Sequence, residues 1–306
     1  MNSVRITIFG GMGFVGRHLT ARLLSAGHHL SLVARHASGT VPAKTHGQVG
    51  WLYGDVLKRD TVAAAVRGAD AVINLVGAVS LPDARAYFDL HETGARNVAE
   101  EACEAGVERL IHVSALGIDT NAPSAADRSK AAGERAVLEA FPEAVILRPS
   151  LVFGDDDHLF NRIAAMSRVS PVIPLVGGAT LFQPVHVDDL AAAFTRILEL
   201  PESSGITYQI GGPEVYLLER LVRFLLAAMG RKKLVVPLPY ALAVPLSSLL
   251  GLLPHAPFNR EQVALMMTDK VVDAGASGLA DLDIHPRSLR EWINRPGHRY
   301  RHAPAA

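Results

Sequence analysis

Three glycines near the start of the chain have the spacing of a phosphate-binding turn. They are Gly10, Gly13 and Gly16. A short apolar run, residues 6–9, precedes them, and residues 17–24, with helical periodicity, follow. Glycines there let the backbone turn tightly and approach a pyrophosphate, whose charge is favourable at a helix N-terminus. An ordinary glycine-rich turn is the alternative, but the place between a strand and a helix favours a dinucleotide site.

The second strand-like segment, residues 29–34, ends at Arg35 and His36. A protein that binds NAD usually has Asp or Glu about 20 residues after the glycine cluster, where the carboxylate binds the ribose 2′-hydroxyl. A guanidinium at that place suits a 2′-phosphate, because it can donate two parallel charge-assisted hydrogen bonds. A solvated loop arginine is the alternative. The sequence therefore favours NADP(H) as the cofactor, and NAD(H) stays open.

Strand-like and helix-like segments alternate through the first half of the chain. Strands are predicted at 49–53, 71–76, 109–113 and 144–147, and helices at 58–66, 84–105 and 131–140. This alternation predicts an α/β fold, a doubly wound parallel sheet of the Rossmann type with right-handed crossovers. Ligands of such sheets lie at the carboxyl ends of the strands. The residues at those ends, which should line one crevice, are Gly10, Arg35, Asp55, Gly77, Ser114, Arg148 and Pro149.

The regular alternation ends after Pro149, where prolines and glycines become frequent. We therefore expect residues 1–150 to form the dinucleotide-binding domain and residues 151–306 to form a smaller, helix-rich C-terminal lobe. Segment 182–212 should return to the first domain as one more unit, with a strand at 185–189 and a helix after it.

The overall composition excludes some classes of protein. The chain has 306 residues and a formal net charge of zero, so it lacks the basic character of nucleic-acid-binding proteins. Its single cysteine, Cys103, excludes an internal disulfide framework and suits a reducing compartment. A strand is predicted almost at the N-terminus, which leaves no room for a secretory signal. We therefore expect a cytoplasmic protein.

Residues 155–158, with the sequence Asp-Asp-Asp-His, suggest a metal site at first sight. Consecutive carboxylates rarely converge on one ion, and acidic residues are favourable at the start of a helix. We therefore predict a helix start here and no metal site. His186, with the acidic residues that follow it, is expected to order a strand-to-helix turn.

Residues 234–254 contain no charged side chain. The run is long enough to span a bilayer, but Pro237, Pro239 and Pro245 divide it, and prolines free backbone groups that lipid cannot satisfy. A buried helix of the smaller lobe is one interpretation. An apolar surface for a membrane, a quinone or a protein partner is the other. With the basic residues 295–302, such a surface would favour the inner face of a membrane.

Several motifs, in their order along the chain, resemble the extended and atypical short-chain dehydrogenase/reductases. Besides the glycine cluster, they are the segments 54–55, 74–77, 112–117, 129–134, 147–154 and 183–190. Residues 160–162 and 258–263 are similar to the subgroup related to the nucleotide-binding accessory subunit of respiratory complex I. The order of the motifs is more specific than any one of them.

The resemblance implies hydride transfer with a Tyr-x-x-x-Lys pair. In that family the lysine holds the ribose and lowers the tyrosine pKa, the tyrosine exchanges a proton with the substrate, and a serine polarises the substrate oxygen. Lys130 and Ser114 match, but Ala126 stands in the tyrosine position. Asp127 is a poor substitute, because one step along a helix turns by about 100°. Tyr87 or a water molecule stays open as the proton donor.

The resemblance thus predicts cofactor binding without ordinary turnover, since loss of a placed general acid costs about 10²–10⁴ in rate. We expect Ser114 and Lys130 at the catalytic centre. The residues expected to bind the cofactor are Gly10, Gly13, Phe14, Val15, Gly16, Arg35, His36, Asp55, Val56, Val76, Gly77, Lys130 and Pro149. A quinone or another apolar molecule is the expected second ligand. The alternative is an active oxidoreductase or a sugar-nucleotide epimerase or dehydratase with a replaced proton donor.

Structural roles stay open for three of these residues. Lys130 and Glu134, one helical turn apart, could form a plain surface ion pair. Ser114 could cap the turn after its strand, and Asp55 could form an Asx turn.

Overall fold

The computed structural model describes residues 3–35, 48–78, 80–250, 259–295, 298 and 300. Its strands are β1 Arg5–Phe9, β2 His29–Ala34, β3 Val49–Tyr53, β4 Ala71–Asn74, β5 Arg109–Val113, β6 Val145–Pro149, β7 Val152–Phe153, β8 Val172–Val176, β9 Leu181–Phe182, β10 Val185–His186, β11 Thr207–Ile210, β12 Tyr216–Leu217 and β13 Leu234–Leu238. Seven of them form one parallel sheet in the order β11-β6-β5-β4-β1-β2-β3.

Helices cover both faces of this sheet. They are α1 Phe14–Ser25, α2 Arg59–Val66, α3 Ala84–Phe88, α4 Gly94–Glu104, α5 Ala125–Ala140, α6 His158–Val169, α7 Val187–Glu199, α8 Leu218–Ala228, α9 Tyr240–Leu250, α10 Arg260–Leu265 and α11 Leu289–Asn294. A π-helical segment, Asp89–Thr93, joins α3 to α4, and 3₁₀ turns lie at Pro201–Ser203 and Ala280–Leu282. The predicted helix 84–105 therefore contains one wide turn.

The alternation of side chains along the strands explains the two layers of helices. Ile6 and Ile8 of β1 pack with α1 and α7 on one face, whereas Phe9 packs with α2, α4 and α5 on the other. Strands buried on both faces are apolar almost throughout, as parallel sheets require. The predicted doubly wound α/β fold is confirmed.

The predicted strand 185–189 is wrong in length and place. Only Val185–His186 is extended, and this short strand, β10, pairs with β7 beside the main sheet. The seventh strand of the main sheet is β11, which lies next to β6. The helix α7 begins early because His186 Nδ1 accepts a hydrogen bond of 3.2 Å from the N–H of Asp188. His186 thus orders the turn, as predicted. The division of the chain into two domains at residue 150 stays a prediction.

The helix that carries the candidate chemistry begins at Ala125, six residues before the predicted start at 131. Ser124 Oγ accepts a hydrogen bond of 3.0 Å from the N–H of Asp127 and thereby caps the helix. Ala126 and Lys130 consequently lie one turn apart on the same helix. A similar cap confirms the predicted helix start after the acidic run, where Asp157 accepts a hydrogen bond from the N–H of Phe160.

The C-terminal part has its own core beside the sheet, formed by β7, α6, α8, α11 and the strands β8 and β13. The prediction of one buried helix over residues 234–254 is wrong, since Leu234–Leu238 is strand β13, parallel to β8. Pro237 lies within β13 and Pro239 directly follows it, and these prolines prevent one continuous helix. The side chains of Leu234 and Leu242 are 63% and 61% exposed. Within the described residues we find no helix with the length and apolarity of a membrane span.

Candidate functional site

The glycine cluster forms a tight turn that leads directly into α1. Gly10 has a φ of +79°, and its carbonyl oxygen accepts a hydrogen bond of 3.0 Å from the N–H of Gly13. A Cβ at Gly16 would lie 2.5 Å from the Gly10 oxygen, so only glycine lets α1 lie this close to the turn. A Cβ at Gly13 would meet only that oxygen, at 3.4 Å, among the described atoms. Phe14 and Val15, both half-buried, open the helix.

The register of the sheet brings the predicted strand-end residues to one edge. The end of β1 lies between the ends of β2 and β4. Gly10, Arg35 and Val76 follow these strands by one or two residues and therefore share the carboxyl edge. Arg35 is exposed there, and His36 lies outside the described residues. Pro149 is the buried last residue of β6.

The loop after β3 shows the structural alternative for Asp55. Its Oδ1 accepts a hydrogen bond of 3.1 Å from the N–H of Leu57, which makes an Asx turn. The neighbouring Val56 is buried, and its carbonyl oxygen accepts a hydrogen bond of 2.7 Å from Asn97 Nδ2. Contact of Asp55 and Val56 with a cofactor stays a prediction.

His91, in the π-helical segment, connects the loop after β4 to α5. The N–H of Ala78 donates to His91 Nε2 at 3.3 Å, so the proton of the neutral ring lies on Nδ1. Nδ1 then donates to Ser129 Oγ at 2.8 Å, and Ser129 donates to the Ala126 carbonyl oxygen at 2.9 Å. Burial, together with the charge of Lys130, lowers the pKa of His91 to about 3. In this series of hydrogen bonds, from Ala78 through His91 and Ser129 to Ala126, the donor and the acceptor of each bond are thus defined.

A second neutral histidine supports the same loop from β5. Asn74 Oδ1 accepts a hydrogen bond of 3.0 Å from the N–H of Val76. The Asn74 amide nitrogen therefore faces His112 Nδ1, at 3.3 Å, and donates to it. Burial lowers the pKa of His112 to about 4, so the imidazole stays uncharged near neutral pH. The backbone around Val76 and Gly77 is consequently held from two sides.

Ser114 and Lys130 lie near these groups. Ser114 is 3% exposed, and its hydroxyl has no hydrogen-bond partner within the described part of the chain. Burial lowers the pKa of Lys130, while the carboxylate of Asp127 opposes that shift. The surface pair with Glu134 is not formed, because Glu134 Oε1 accepts a hydrogen bond of 2.8 Å from Arg148 Nε.

Ala126 is almost completely buried, at 3% exposure. Its methyl group belongs to a small apolar cluster with Tyr87 and Leu265. Its N–H donates to Glu261 Oε1 at 2.7 Å, and Ser124 Oγ donates to the same oxygen at 2.6 Å. Glu261 of α10 therefore anchors the C-terminal part of the chain to the first turn of α5.

The two side chains considered as replacement proton donors have structural contacts. The Tyr87 hydroxyl oxygen accepts a hydrogen bond of 3.0 Å from the N–H of Leu81, and burial raises the Tyr87 pKa. Asp127 forms a buried ion pair with Lys270, whose ammonium lies 2.9 Å from Oδ2. Lys270 also donates to the carbonyl oxygen of Gly117 at 3.4 Å. Both groups therefore hold α5 in place.

A cavity of about 850 Å³ adjoins the carboxyl edge of the sheet. Phe14 and Gly77 line it on the side of the glycine turn, and the rest of the lining, mostly apolar side chains, comes mainly from α6, β8, α8 and α10. The charged side chain among its lining residues is Arg162.

Comparison with known proteins agrees with this geometry. The model of the NAD dependent epimerase/dehydratase family matches residues 6–211. The chain belongs to this family. It is 33% identical to the mitochondrial NADH dehydrogenase (ubiquinone) 1 alpha subcomplex subunit 9 of Arabidopsis thaliana, over 95% of this chain and 77% of that protein. It is 28% identical to a ceramide reductase of Caulobacter vibrioides, over 76% of this chain and 73% of that protein.

Among solved structures, a nucleoside-diphosphate-sugar epimerase of Staphylococcus aureus superposes with a TM-score of 0.78, at 16% identity, over 95% of this chain and 100% of that one. These findings confirm the resemblance stated from the motifs. They also support a fold that binds a nicotinamide dinucleotide. The choice between NADP(H) and NAD(H) and the individual contact residues stay predictions.

The candidate site of this epimerase/dehydratase family member also contains residues that the sequence alone did not indicate. His91, Glu261 and Lys270 are far apart in sequence, and no spacing rule connects them to α5. The glutamate belongs to a segment, 258–263, that the subgroup resemblance had singled out without a role. Its carboxylate now explains why this segment lies against Ala126.

The neutral histidines predict a pH dependence of stability. His91, His112 and His186 have lowered pKa values of about 3, 4 and 4 in the folded chain. The unfolded chain binds protons at these residues below about pH 6.5, whereas the folded chain does not. These histidines should therefore leave the free energy of unfolding nearly unchanged above about pH 7.5 and lower it as the pH falls through 6.5 towards 4, by up to about 1.4 kcal/mol per unit and residue.

Urea unfolding at pH 7.5, 6.0 and 5.0 measures this slope. His91→Gln keeps an acceptor for Ala78 and a donor for Ser129 but does not titrate, so its slope should be shallower. The exposed His29→Gln variant serves as the control and should match the wild type. An unchanged slope in His91→Gln would show that His91 is not held neutral.

Proposed function

We propose that this chain is an NADPH-binding member of the epimerase/dehydratase family with weak or no conventional dehydrogenase activity, associated with quinone metabolism or the respiratory chain. One observation carries the proposal. Helix α5 keeps Lys130, but one turn earlier the proton-donor position is a methyl group packed with Tyr87 and Leu265. Because the missing phenol would act mainly on substrate, its loss removes turnover and leaves cofactor binding intact.

The preference for NADPH rests on the edge of the sheet beside the glycine turn. Arg35 follows β2 where an NAD protein usually has a carboxylate. Its exposed guanidinium can pair with a 2′-phosphate. Gly13 supports the same site, because the space beyond its Cα is open at the N-terminus of α1.

The link to quinones rests on the relatives and on the apolar cavity. Two of the relatives are named as an NADH dehydrogenase (ubiquinone) subunit and a ceramide reductase. Both names contain a lipid-like molecule, ubiquinone or ceramide. An active sugar-nucleotide epimerase or dehydratase is the second candidate, favoured by the structural neighbour. A sugar nucleotide brings a second diphosphate, however, and Arg162 is the cavity's one cationic lining residue within the described chain.

We also propose that the protein is cytoplasmic and lies on the inner face of a membrane. The parallel strands β8 and β13 expose Val172, Leu234 and Val236 on their outer face. Lys232 and Lys233 directly precede β13. Exposed apolar side chains beside lysines suit a bilayer that contains anionic lipid.

Exchange of one arginine tests the cofactor choice. Arg35→Asp should lower NADPH affinity about ten- to a hundredfold, the range of a charged hydrogen-bond pair, with little effect on NADH. Arg67→Asp is the matched control. Arg67 lies between α2 and β4, at the amino ends of the strands, whereas the candidate site lies at their carboxyl ends. Calorimetric titration measures both nucleotides. Equal affinities of the wild type for NADPH and NADH would contradict the proposed preference.

In the same titrations, Gly13→Val should bind neither nucleotide, because the branched side chain would occupy the place of the pyrophosphate. Its thermal midpoint should stay near that of the wild type, since the nearest contact of a Cβ is 3.4 Å. Undiminished binding by this variant would place the cofactor elsewhere.

Restoring the phenol tests the reason for low turnover. Leu265 and Tyr87 occupy the space next to Ala126, so a tyrosine there needs room. We expect Ala126→Tyr combined with Leu265→Ala to raise NADPH-dependent reduction of decylubiquinone above background, by up to about 10²–10⁴. The matched control, Ala126→Phe with Leu265→Ala, has the same shape without the hydroxyl and should stay at background.

NADPH oxidation followed by absorbance measures these rates, and titration should show similar NADPH affinity in both double variants. Brisk turnover by the wild type would show that another group already donates the proton. That result would refute the proposal of weak activity and favour the active-enzyme candidate.

Vesicle binding tests the membrane surface. Leu234→Glu combined with Val236→Glu should reduce co-sedimentation with phosphatidylglycerol/phosphatidylcholine vesicles at least tenfold, because burial of each apolar side chain contributes about 1.5–3 kcal/mol. Val215→Glu, at an exposed valine away from β8 and β13, is the control. Binding by the wild type should weaken with salt and with pure phosphatidylcholine. Equal sedimentation of both variants would exclude this surface.

A further inference from the structure

The cavity beside the glycine turn has a volume of about 850 Å³, within the usual range for small-molecule sites. Its walls come mainly from α6, β8, α8 and α10, with Phe182 of β9. Ile163, Ile173, Leu175, Phe182 and Val222 line it and are themselves buried. A site with such walls offers dispersion contacts and the exclusion of water, but few hydrogen bonds.

The cavity has a polar end and an apolar end. Gly154, four residues before His158 of α6, lies against Phe14: a Cβ there would be 3.0 Å from the ring. The first turn of α6, with His158, is therefore on the side of the glycine turn, where Gly77 also lines the cavity. The other polar lining groups, Arg162 and Gln262, contact each other at 3.4 Å.

The far end has a different character. Met166, on the last turns of α6, and the inner face of β8 line it with apolar side chains alone. A diphosphate or sugar placed there would lose its hydration without compensating hydrogen bonds. A methylene chain gains about 0.8 kcal/mol for each buried CH₂. The arrangement fits a molecule with a hydrogen-bonding head and one hydrocarbon chain.

We propose that this cavity binds the hydrocarbon chain of an amphiphilic ligand, with the head beside the Phe14–Gly77 edge and the chain running along α6 towards β8. The inference rests on the proposed function, because the head would then meet the bound cofactor. The chain can come from two sources, the prenyl tail of a quinone or the acyl chain of a lipid. Both require the same apolar channel.

Fluorescence of cis-parinaric acid, which increases in an apolar site, measures chain binding. Met166→Trp places an indole ring in the cavity from α6 and should weaken binding of cis-parinaric acid at least tenfold. Val169→Trp, three residues on, is the matched control, because Val169 is 86% exposed and does not line the cavity. Leu159→Trp, at another half-buried lining residue, is a second filling variant should Met166→Trp fold poorly.

Displacement of the probe by saturated fatty acids of eight, ten and twelve carbons tests the chain directly. Affinity should rise about fourfold per methylene, below the micelle concentration. Displacement at a lower concentration by decylubiquinone than by decanoate identifies a quinone source, and displacement at a lower concentration by decanoate identifies the acyl chain of a lipid. No dependence on chain length, or equal probe affinity in wild type and both filling variants, would overturn the proposal.

NADPH titration of the same variants separates this inference from the proposed function. Met166→Trp should bind NADPH as the wild type does, because Met166 lies away from the glycine turn. Loss of probe binding with intact NADPH binding supports the cavity. Intact probe binding in the filling variants refutes the cavity alone, whereas absent NADPH binding in the wild type refutes the proposed function.

Discussion

The close contact between α5 and the π-helical segment is the constraint on which the candidate site depends. A Cβ at Gly133 would lie 2.0 Å from the carbonyl oxygen of His91, so the two backbones can meet only at a glycine. This approach brings His91 within reach of both Ser129 and the loop at Ala78. The wide turn of a π-helix, often found at functional sites, displaces the ring from ordinary helical register. One packing contact thus positions the loop after β4 and α5 together.

Around this contact, the buried carboxylates are paired with cations and the buried imidazoles are neutral. Buried charges are costly unless paired, and Glu134 and Asp127 are paired with Arg148 and Lys270. The imidazoles next to Lys130 are held neutral and do not repel it. Lys130 itself has no ion pair within the described residues, which leaves its ammonium for a ligand. A lysine whose nearby carboxylates are already paired with other cations suits the ribose and phosphate groups of a dinucleotide.

Much of the fold could be predicted from the sequence, whereas much of the site could not. The strands of the first half were recognisable because buried parallel strands are apolar throughout. The start of α5 was missed because its first residues include two alanines and no apolar stripe, so the Ser124 cap was the available signal. The roles of His91 and Lys270 depend on contacts between distant segments, for which a single sequence contains no signal. Conversely, Ala126 was predictable, since a fixed spacing from Lys130 defines its position.

Ala126, at the predicted tyrosine position, is buried against the C-terminal part of the chain. Tyr87 and Leu265 belong to the same apolar cluster as Ala126, and Glu261 accepts hydrogen bonds from the first turn of α5. The C-terminal part of the chain therefore packs against the first turn of α5, and Leu265 also lines the apolar cavity. Most of the groups predicted to hold the cofactor lie on other elements, and Lys130 lies one turn further along α5. Nucleotide binding can therefore be retained while Ala126 packs in an apolar cluster, whose Leu265 also faces the cavity.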